Sequence, residues 1–69
     1  MLNQYFIHEK QTGKVLDQVD EGLYYCVCYG NLTDMTPDTY HLLTPWEMKD
    51  FVFVDTKHEL ETLFRKEEQ

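Results

Sequence analysis

The chain has 69 residues, of which 42% are hydrophobic and 14% aromatic, and its 13 acidic and 6 basic residues give a net charge of −7 with histidine neutral. This length accommodates one small domain, spanning 1–69, and the aromatic content is too high for a disordered segment. The acidic balance, with no basic stripe, disfavours direct binding to nucleic acid or to an anionic membrane, and it favours a protein partner with a basic surface.

The first 20 residues predict two strands of a hairpin. The apolar cluster 5–7 marks the first strand, and Gly13, within the polar stretch 11–14, is expected to supply the positive φ of the hairpin loop. Apolar residues at 15, 16 and 19 mark a second, weaker strand, although the same spacing fits one helical turn.

A third strand is predicted from Leu23 to Tyr29, between a turn at 20–22 and a stop at 30–31. Each of its residues is apolar or aromatic, so that both faces of the strand require cover. Alternation assigns its residues to two faces, Leu23, Tyr25, Val27 and Tyr29 on one and Tyr24, Cys26 and Cys28 on the other. One face is expected to meet the core, and the other a helix, a second copy of the chain or a partner.

The middle of the chain is the hardest part to interpret. Residues 32–43 contain a Thr-Pro pair at 36–37 that fits a helix start, but a single turn or an irregular loop fits equally well. Thr44 and Glu47 form a capping box that predicts a short helix ending near Asp50.

The C-terminal part predicts a strand followed by a helix. The stretch 51–55 is apolar on both faces, and we expect it to lie beside the strand 23–29. A second capping box, Thr56 to Glu59, begins a helix that runs to about Glu67, with an apolar stripe and an ion pair on its outer face (Leu60, Leu63 and Phe64; Glu61 with Arg65).

These elements predict an α+β fold. We expect a small antiparallel sheet of three to four strands, with the C-terminal helix packed on one face and a short helix before the last strand.

No residue set in the sequence has the composition of a catalytic, cofactor or metal site. Serine is absent, the three glycines are all explained by turns, and His8, His41 and His58 are isolated from one another. We therefore expect a protein that is not an enzyme and that has no cofactor and no metal ligands.

Cys26 and Cys28 lie two apart in the predicted third strand and therefore on one face, with Cα atoms about 6.6 Å apart and parallel Cβ vectors that disfavour a disulfide. We interpret them as small buried apolar residues, with a thiol or metal function at this pair as an alternative.

The function expected from these observations is that of a non-catalytic, acidic interaction protein, which binds and modulates or inhibits a protein partner. Imitation of nucleic acid by spaced carboxylates is a special case, and a self-associating structural domain that forms a homodimer is the alternative. Aromatic residues interleaved with acids are the candidate partner-binding residues: Tyr24, Asp34, Asp38, Tyr40, Trp46, Glu47 and Asp50.

In overall character the chain resembles small acidic accessory proteins of bacteria, phages and mobile elements, although no motif in it is specific to them. The N-terminal residues 1–5 lack the basic and apolar segments of a secretory signal, and no apolar run approaches the roughly 20 residues of a membrane span. A cytoplasmic location is therefore expected.

Overall fold

The computed structural model describes residues 1–68, which form a five-stranded antiparallel sheet and one α-helix, a small α+β fold. The sheet has one or two strands more than predicted, in the spatial order β4-β3-β2-β1-β5. In chain order the elements are β1 (Tyr5–His8), β2 (Gln11–Asp20), β3 (Leu23–Asn31), β4 (Thr36–Leu43), β5 (Val52–Val54) and α1 (Lys57–Glu68).

The first two hairpins have two-residue loops. Glu21 and Gly22 join β2 to β3 as the turn residues predict, with Gly22 at a φ of 70°. The prediction that Gly13 turns the first hairpin is wrong, because His8 pairs with Gln11 and the loop is Glu9-Lys10. Glu9 adopts a φ of 48°. A non-glycine residue at positive φ is uncommon, and the sequence around Glu9 therefore carries no turn signal.

Gly13 has a packing role instead. It lies inside β2 opposite Phe6, and a Cβ atom at this position would overlap both the Phe6 ring and the backbone oxygen of Val27. A glycine within a strand often marks such a close approach. The residue is therefore fixed by its neighbours across the sheet and not by a turn.

The segment predicted as a turn, loop or helix start is the edge strand β4. The loop 32–35 that precedes it is ordered by Asn31, whose side-chain oxygen accepts a hydrogen bond from Thr33 N at 2.9 Å, and Met35 has a φ of 55°. Pro37 lies at the start of β4, where a missing N–H is tolerated because edge strands have one unpaired side. The Thr-Pro pair therefore opens a strand, not a helix.

The strand β5 is not beside β3 as predicted but pairs with β1 at the opposite edge of the sheet. The connection from β4 to β5, residues 44–51, must therefore cross all five strands, a distance of about 19 Å. An α-helix of this length rises only about 12 Å, so the crossing segment cannot be helical throughout.

The predicted short helix is accordingly absent, and 45–50 form turns. The capping box nevertheless forms its hydrogen bonds, from Thr44 N to Glu47 Oε1 at 3.0 Å and from Glu47 N to Thr44 Oγ1 at 3.3 Å. The sequence signal identified the local hydrogen bonds correctly but not the element that follows them.

The crossing segment encloses the face of the sheet that carries Cys26 and Cys28, named here the cysteine face. Met48 is buried in one cluster with these two residues, and Phe51 stacks on Phe6 with ring centroids 4.7 Å apart. The buried cluster and the half-buried side chains packed on it are Phe6, Val15, Cys26, Cys28 and Met48, with Tyr24, Leu43, Phe51 and Phe53. This face is thus covered by the chain itself.

The helix α1 packs on the other face of the sheet, against β1 and β5. Its predicted capping box is confirmed, with Glu59 N donating to Thr56 Oγ1 at 3.2 Å, and Leu60 of the predicted stripe is fully buried. Glu61 pairs with Lys57 at 3.7 Å, the residue one turn before it, and not with Arg65 as expected.

We expect Gly13→Ala to lower the free energy of unfolding by about 1–3 kcal/mol, because the added methyl group overpacks the space between Phe6 and β3. Urea denaturation of both proteins measures the difference. Gly30→Ala is the control, since its new Cβ would lie 3.3 Å from the exposed Asp38 side chain, which can move aside. Equal stability of Gly13→Ala and the parent chain would contradict the assigned packing role.

We expect Met48→Ala to lower the free energy of unfolding by about 2–4 kcal/mol and to make Cys26 and Cys28 reactive toward a thiol reagent, because Met48 fills the space above them. Trp46→Ala on the same segment should change stability by no more than about 1 kcal/mol, since Trp46 is 74% exposed. Urea denaturation and the rate of thiol labelling measure both effects. Labelling as fast in the parent chain as in Met48→Ala would show that the crossing segment does not cover the cysteines.

Candidate functional site: an aromatic sheet face

Four tyrosines share the face of the sheet opposite to the cysteines, and we name this surface the tyrosine face (Tyr5, Tyr25, Tyr29 and Tyr40, with Val27 among them). The strand register places Tyr5, Lys14, Val27 and Tyr40 in one row across β1, β2, β3 and β4. Side chains paired directly across neighbouring strands lie on the same face, and alternation along β3 adds Tyr25 and Tyr29. The division of β3 into two faces agrees with the sequence analysis.

The part of this face nearest β4 is apolar and open to solvent. The rings of Tyr25 and Tyr40 stack with centroids 5.6 Å apart and an interplanar angle of 9°. Leu42 pairs directly with Tyr25 and extends the surface along β4. Tyr40 is 52% exposed and Leu42 54%. We name the three side chains Tyr25, Tyr40 and Leu42 the apolar patch.

The helix leaves the apolar patch uncovered because it lies over β1 and β5 and beside the β3–β4 loop, away from the patch. It packs mainly on β1 and β5, and Lys57 Nζ donates to the backbone oxygen of Thr33 at 3.2 Å, which places the start of α1 beside the β3–β4 loop. Ile7 of β1, on the same face as the tyrosines, is fully buried. A single helix of 12 residues therefore shelters one half of the tyrosine face and leaves the other half accessible.

The electrostatic surroundings of the tyrosines include a lysine and an aspartate. Lys14 Nζ lies 5.1 Å from the centroid of the Tyr5 ring, within the range of a cation–π contact. Asp17 pairs with Tyr25 across β2 and β3. Burial, and then the nearby hydroxyls of Tyr5 and Tyr40, raise the pKa of Tyr29, so this phenol remains protonated and able to donate a hydrogen bond at neutral pH.

The predicted partner-binding residues lie on different sides of the molecule. Tyr40 belongs to the apolar patch, whereas Tyr24 is half-buried on the cysteine face and packs against the core. Trp46, Glu47 and Asp50 lie on the crossing segment, over the cysteine face, where Lys49 Nζ sits 4.0 Å from the Trp46 ring centroid.

Of the two remaining acids, Asp34 is in the loop before β4 and accepts a hydrogen bond from Thr36 Oγ1 at 2.6 Å, and Asp38 is exposed in β4 itself. The structure therefore groups the seven residues around two opposite faces and the loop before β4, and one flat interface cannot contact all of them.

The sequence analysis did not include Tyr25, Tyr29 or Leu42 among the candidate residues. Alternation had already placed Tyr25 and Tyr29 on one face, but their neighbours could not be known while 36–43 had no assigned structure. Recognition of β4 as a strand, from its Thr, Tyr and Leu content, is the signal that would have joined Leu42 and Tyr40 to them.

The two cysteines are free and buried, and their environment disfavours the thiolate that nucleophilic or metal chemistry requires. Burial, and to a smaller extent the neighbouring Cys28, raise the pKa of Cys26 to about 11. Burial also raises the pKa of Cys28. A hydrogen bond with Thr39 lowers this pKa, and the charge of Asp38 raises it. Among the described residues no group of three or more His, Cys, Asp and Glu is placed to hold a metal ion.

Comparison with protein-family models, with curated proteins and with solved structures gives no match to this chain. Within 1–68 there is no helix with the length and apolar character needed to cross a membrane.

We expect the stability of the protein to fall as the pH rises from 9 to 11. In the unfolded chain the Cys26 thiol ionises near its ordinary pKa of 9.0, whereas in the folded chain it ionises at about 11, so the unfolded state releases its proton first. The stability contributed by the buried neutral thiol is complete below pH 9 and is lost by pH 11, a change of about 2 kcal/mol.

Urea denaturation at pH 8 and at pH 11 measures this change, and Cys26→Ala is its control because it removes the ionising group. A decrease as large in Cys26→Ala as in the parent chain would assign the pH dependence to other groups, such as Tyr29.

Proposed function

We propose that this chain is a non-catalytic interaction protein that binds a protein partner with a basic surface, and that the tyrosine face is its contact surface. The observation that carries the proposal is the apolar patch, in which Tyr40 and Leu42 are more than half exposed beside the stacked ring of Tyr25. Exposed apolar surface on a small domain commonly marks an interaction site.

The chemistry of the patch suits protein recognition. Tyrosine supplies a large rigid contact area at low conformational cost, and its hydroxyl can bond at the rim of an interface. The stacking of Tyr25 on Tyr40 holds both rings in place before a partner arrives, which reduces the entropy lost on binding. The patch therefore provides preordered anchors at one end of the sheet.

The charge of the chain selects the kind of partner. A net charge of −7 attracts a basic surface over distances of about 10 Å at moderate ionic strength and repels nucleic acid and other acidic proteins. Such attraction raises the association rate and specificity more than the affinity itself.

We further propose that binding of this chain modulates or inhibits the activity of its partner. If the partner is a nucleic-acid-binding protein, the exposed acids would occupy its basic groove as phosphates do, and DNA would then compete with the chain for the same surface. Competition by a short DNA duplex in a binding assay supports imitation of nucleic acid, and simultaneous binding of both counts against it.

A homodimer is a second candidate, because the patch lies next to the edge strand β4, and two copies joined there would bury both patches. Light scattering of the purified chain at micromolar and higher concentrations distinguishes a monomer from a dimer. A stable dimer whose formation requires Tyr40 and Leu42 would favour this candidate over a separate partner.

We expect the double variant Tyr40→Thr/Leu42→Thr to bind its partner at least tenfold more weakly than the parent chain, since it removes two anchors but keeps the β-propensity of the strand. The partner is captured from a lysate of the source cells with the tagged parent chain, identified and purified, and its dissociation constant is then measured by calorimetry.

The matched control is Val52→Thr, which alters a side chain that is also half exposed but lies in β5 at the opposite edge. This variant should bind within twofold of the parent chain. Urea denaturation confirms that all three proteins are folded. A partner that binds the double variant as tightly as the parent chain would show that the patch is not the contact surface.

A further inference from the structure

The outer edge of β4 offers backbone hydrogen-bonding groups along the whole strand. β4 is the last strand of the sheet and pairs only with β3. Outside that pairing, the backbone of 36–43 makes no hydrogen bond to the rest of the described chain. Seven of its eight residues are exposed, Leu43 being half-buried.

Little in β4 protects this edge against pairing with another strand. Natural edge strands are commonly blocked by lysines, prolines, bulges or very short length. Pro37 and Asp38, and the irregular pairing near Gly30, block only the start of β4. From Thr39 to Leu43 the pairing with β3 is regular, and the segment contains no proline and no charged acid or lysine. The other edge strand, β5, has only three residues.

We propose that an extended basic segment of the partner protein pairs with residues 39–43 of β4 and adds a sixth strand to the sheet. This inference deepens the proposed function, on which it rests, because it names the form in which the partner meets the tyrosine face. Main-chain hydrogen bonds would supply affinity, and alternate side chains of the added strand would supply specificity.

The two sides of β4 set different requirements for that segment. On the tyrosine face the added strand would lie beside Tyr40 and Leu42, an aromatic and an aliphatic contact. On the cysteine face it would lie beside Thr39 and His41, whose side chains hydrogen-bond to each other at 2.9 Å. Apolar or long basic residues therefore fit one side of the segment, and small polar residues the other.

Charge complementarity favours a basic segment over a second copy of this chain. The chain already places its own lysines over two aromatic rings, Lys14 over Tyr5 and Lys49 over Trp46, and within the described residues no cation is recorded over Tyr40. Asp17 pairs with Tyr25, whose ring stacks on Tyr40, and Asp38 precedes Tyr40 by two residues in β4. A second copy would itself carry a net charge of −7, and this charge opposes the association of two copies.

The test uses the full chain labelled with ¹⁵N and three synthetic peptides of eight residues with blocked ends. The first alternates lysine and threonine, the second replaces each lysine by glutamate, and the third is the lysine peptide N-methylated at every residue. The third peptide retains the charges and side chains but cannot donate a backbone hydrogen bond, and it therefore separates strand pairing from simple charge attraction.

The expected result is that the lysine peptide binds and slows amide exchange in 39–43 at least tenfold for those amides that face outward. The glutamate and N-methylated peptides should bind at least tenfold more weakly. Tyr40→Thr/Leu42→Thr should weaken binding of the lysine peptide, and Val52→Thr should leave it within twofold.

Four results would overturn the inference. Equal binding of the lysine and N-methylated peptides would indicate charge attraction without strand pairing, and absence of binding by the lysine peptide would exclude a basic strand. Protection of the outward amides of 39–43 without peptide, in a dimer, would assign the edge to a second copy. If a captured partner binds through the apolar patch but leaves these amides unprotected, the inference fails while the proposed function stands.

Discussion

The position of β4 and β5 at opposite edges of the sheet determines how the rest of this small protein is covered. Eight residues must carry the chain from one edge to the other, and they do so over the cysteine face, where Met48 and Phe51 complete the core. Because the crossing segment closes that face, α1 is left to the other face, where it packs mainly on β1 and β5. The exposed tyrosines follow from this division of cover between a short segment and one helix.

The same division explains why one apolar face of β3 is buried and the other is partly exposed. Cys26 and Cys28 are small, and a single layer of side chains from the crossing segment encloses them. The tyrosines of the other face are long, and they bury Val27 among themselves while their own rings and hydroxyls reach the surface. Size thus separates a core face, whose buried thiols have raised pKa values, from a face on which aromatic side chains remain partly exposed.

Local patterns in the sequence predicted the parts of the fold that depend on near neighbours. The capping box at Thr56, the stripe residue Leu60 and the turn at Gly22 are formed by groups a few residues apart, and all three are present. The sequence analysis placed Gly13 in a turn because the close packing that requires a glycine there involves neighbouring strands, through Phe6 and Val27. Strand pairing of this kind cannot be seen in the local composition.

Errors in the middle of the chain have a common cause. A proline after a threonine opens a helix or an edge strand equally well, and only the partner strand decides between them. Without β4, the neighbours of Tyr25 were unknown and β5 was placed beside the wrong strand. The candidate surface was therefore half predicted: the sequence located Tyr40 and the two faces of β3, and the pairing of β3 with β4 brought them together.

The open side of β4 has a consequence for the behaviour of the protein in acid. Near neutral pH the net charge of −7 opposes the approach of two such edges. As carboxylates take up protons this repulsion weakens and vanishes near the isoelectric point of about 4.6, while the hydrogen-bonding capacity of the backbone is unchanged. Colloidal stability in solution therefore depends on the ionised carboxyl groups, and we expect it to be lowest near the isoelectric point.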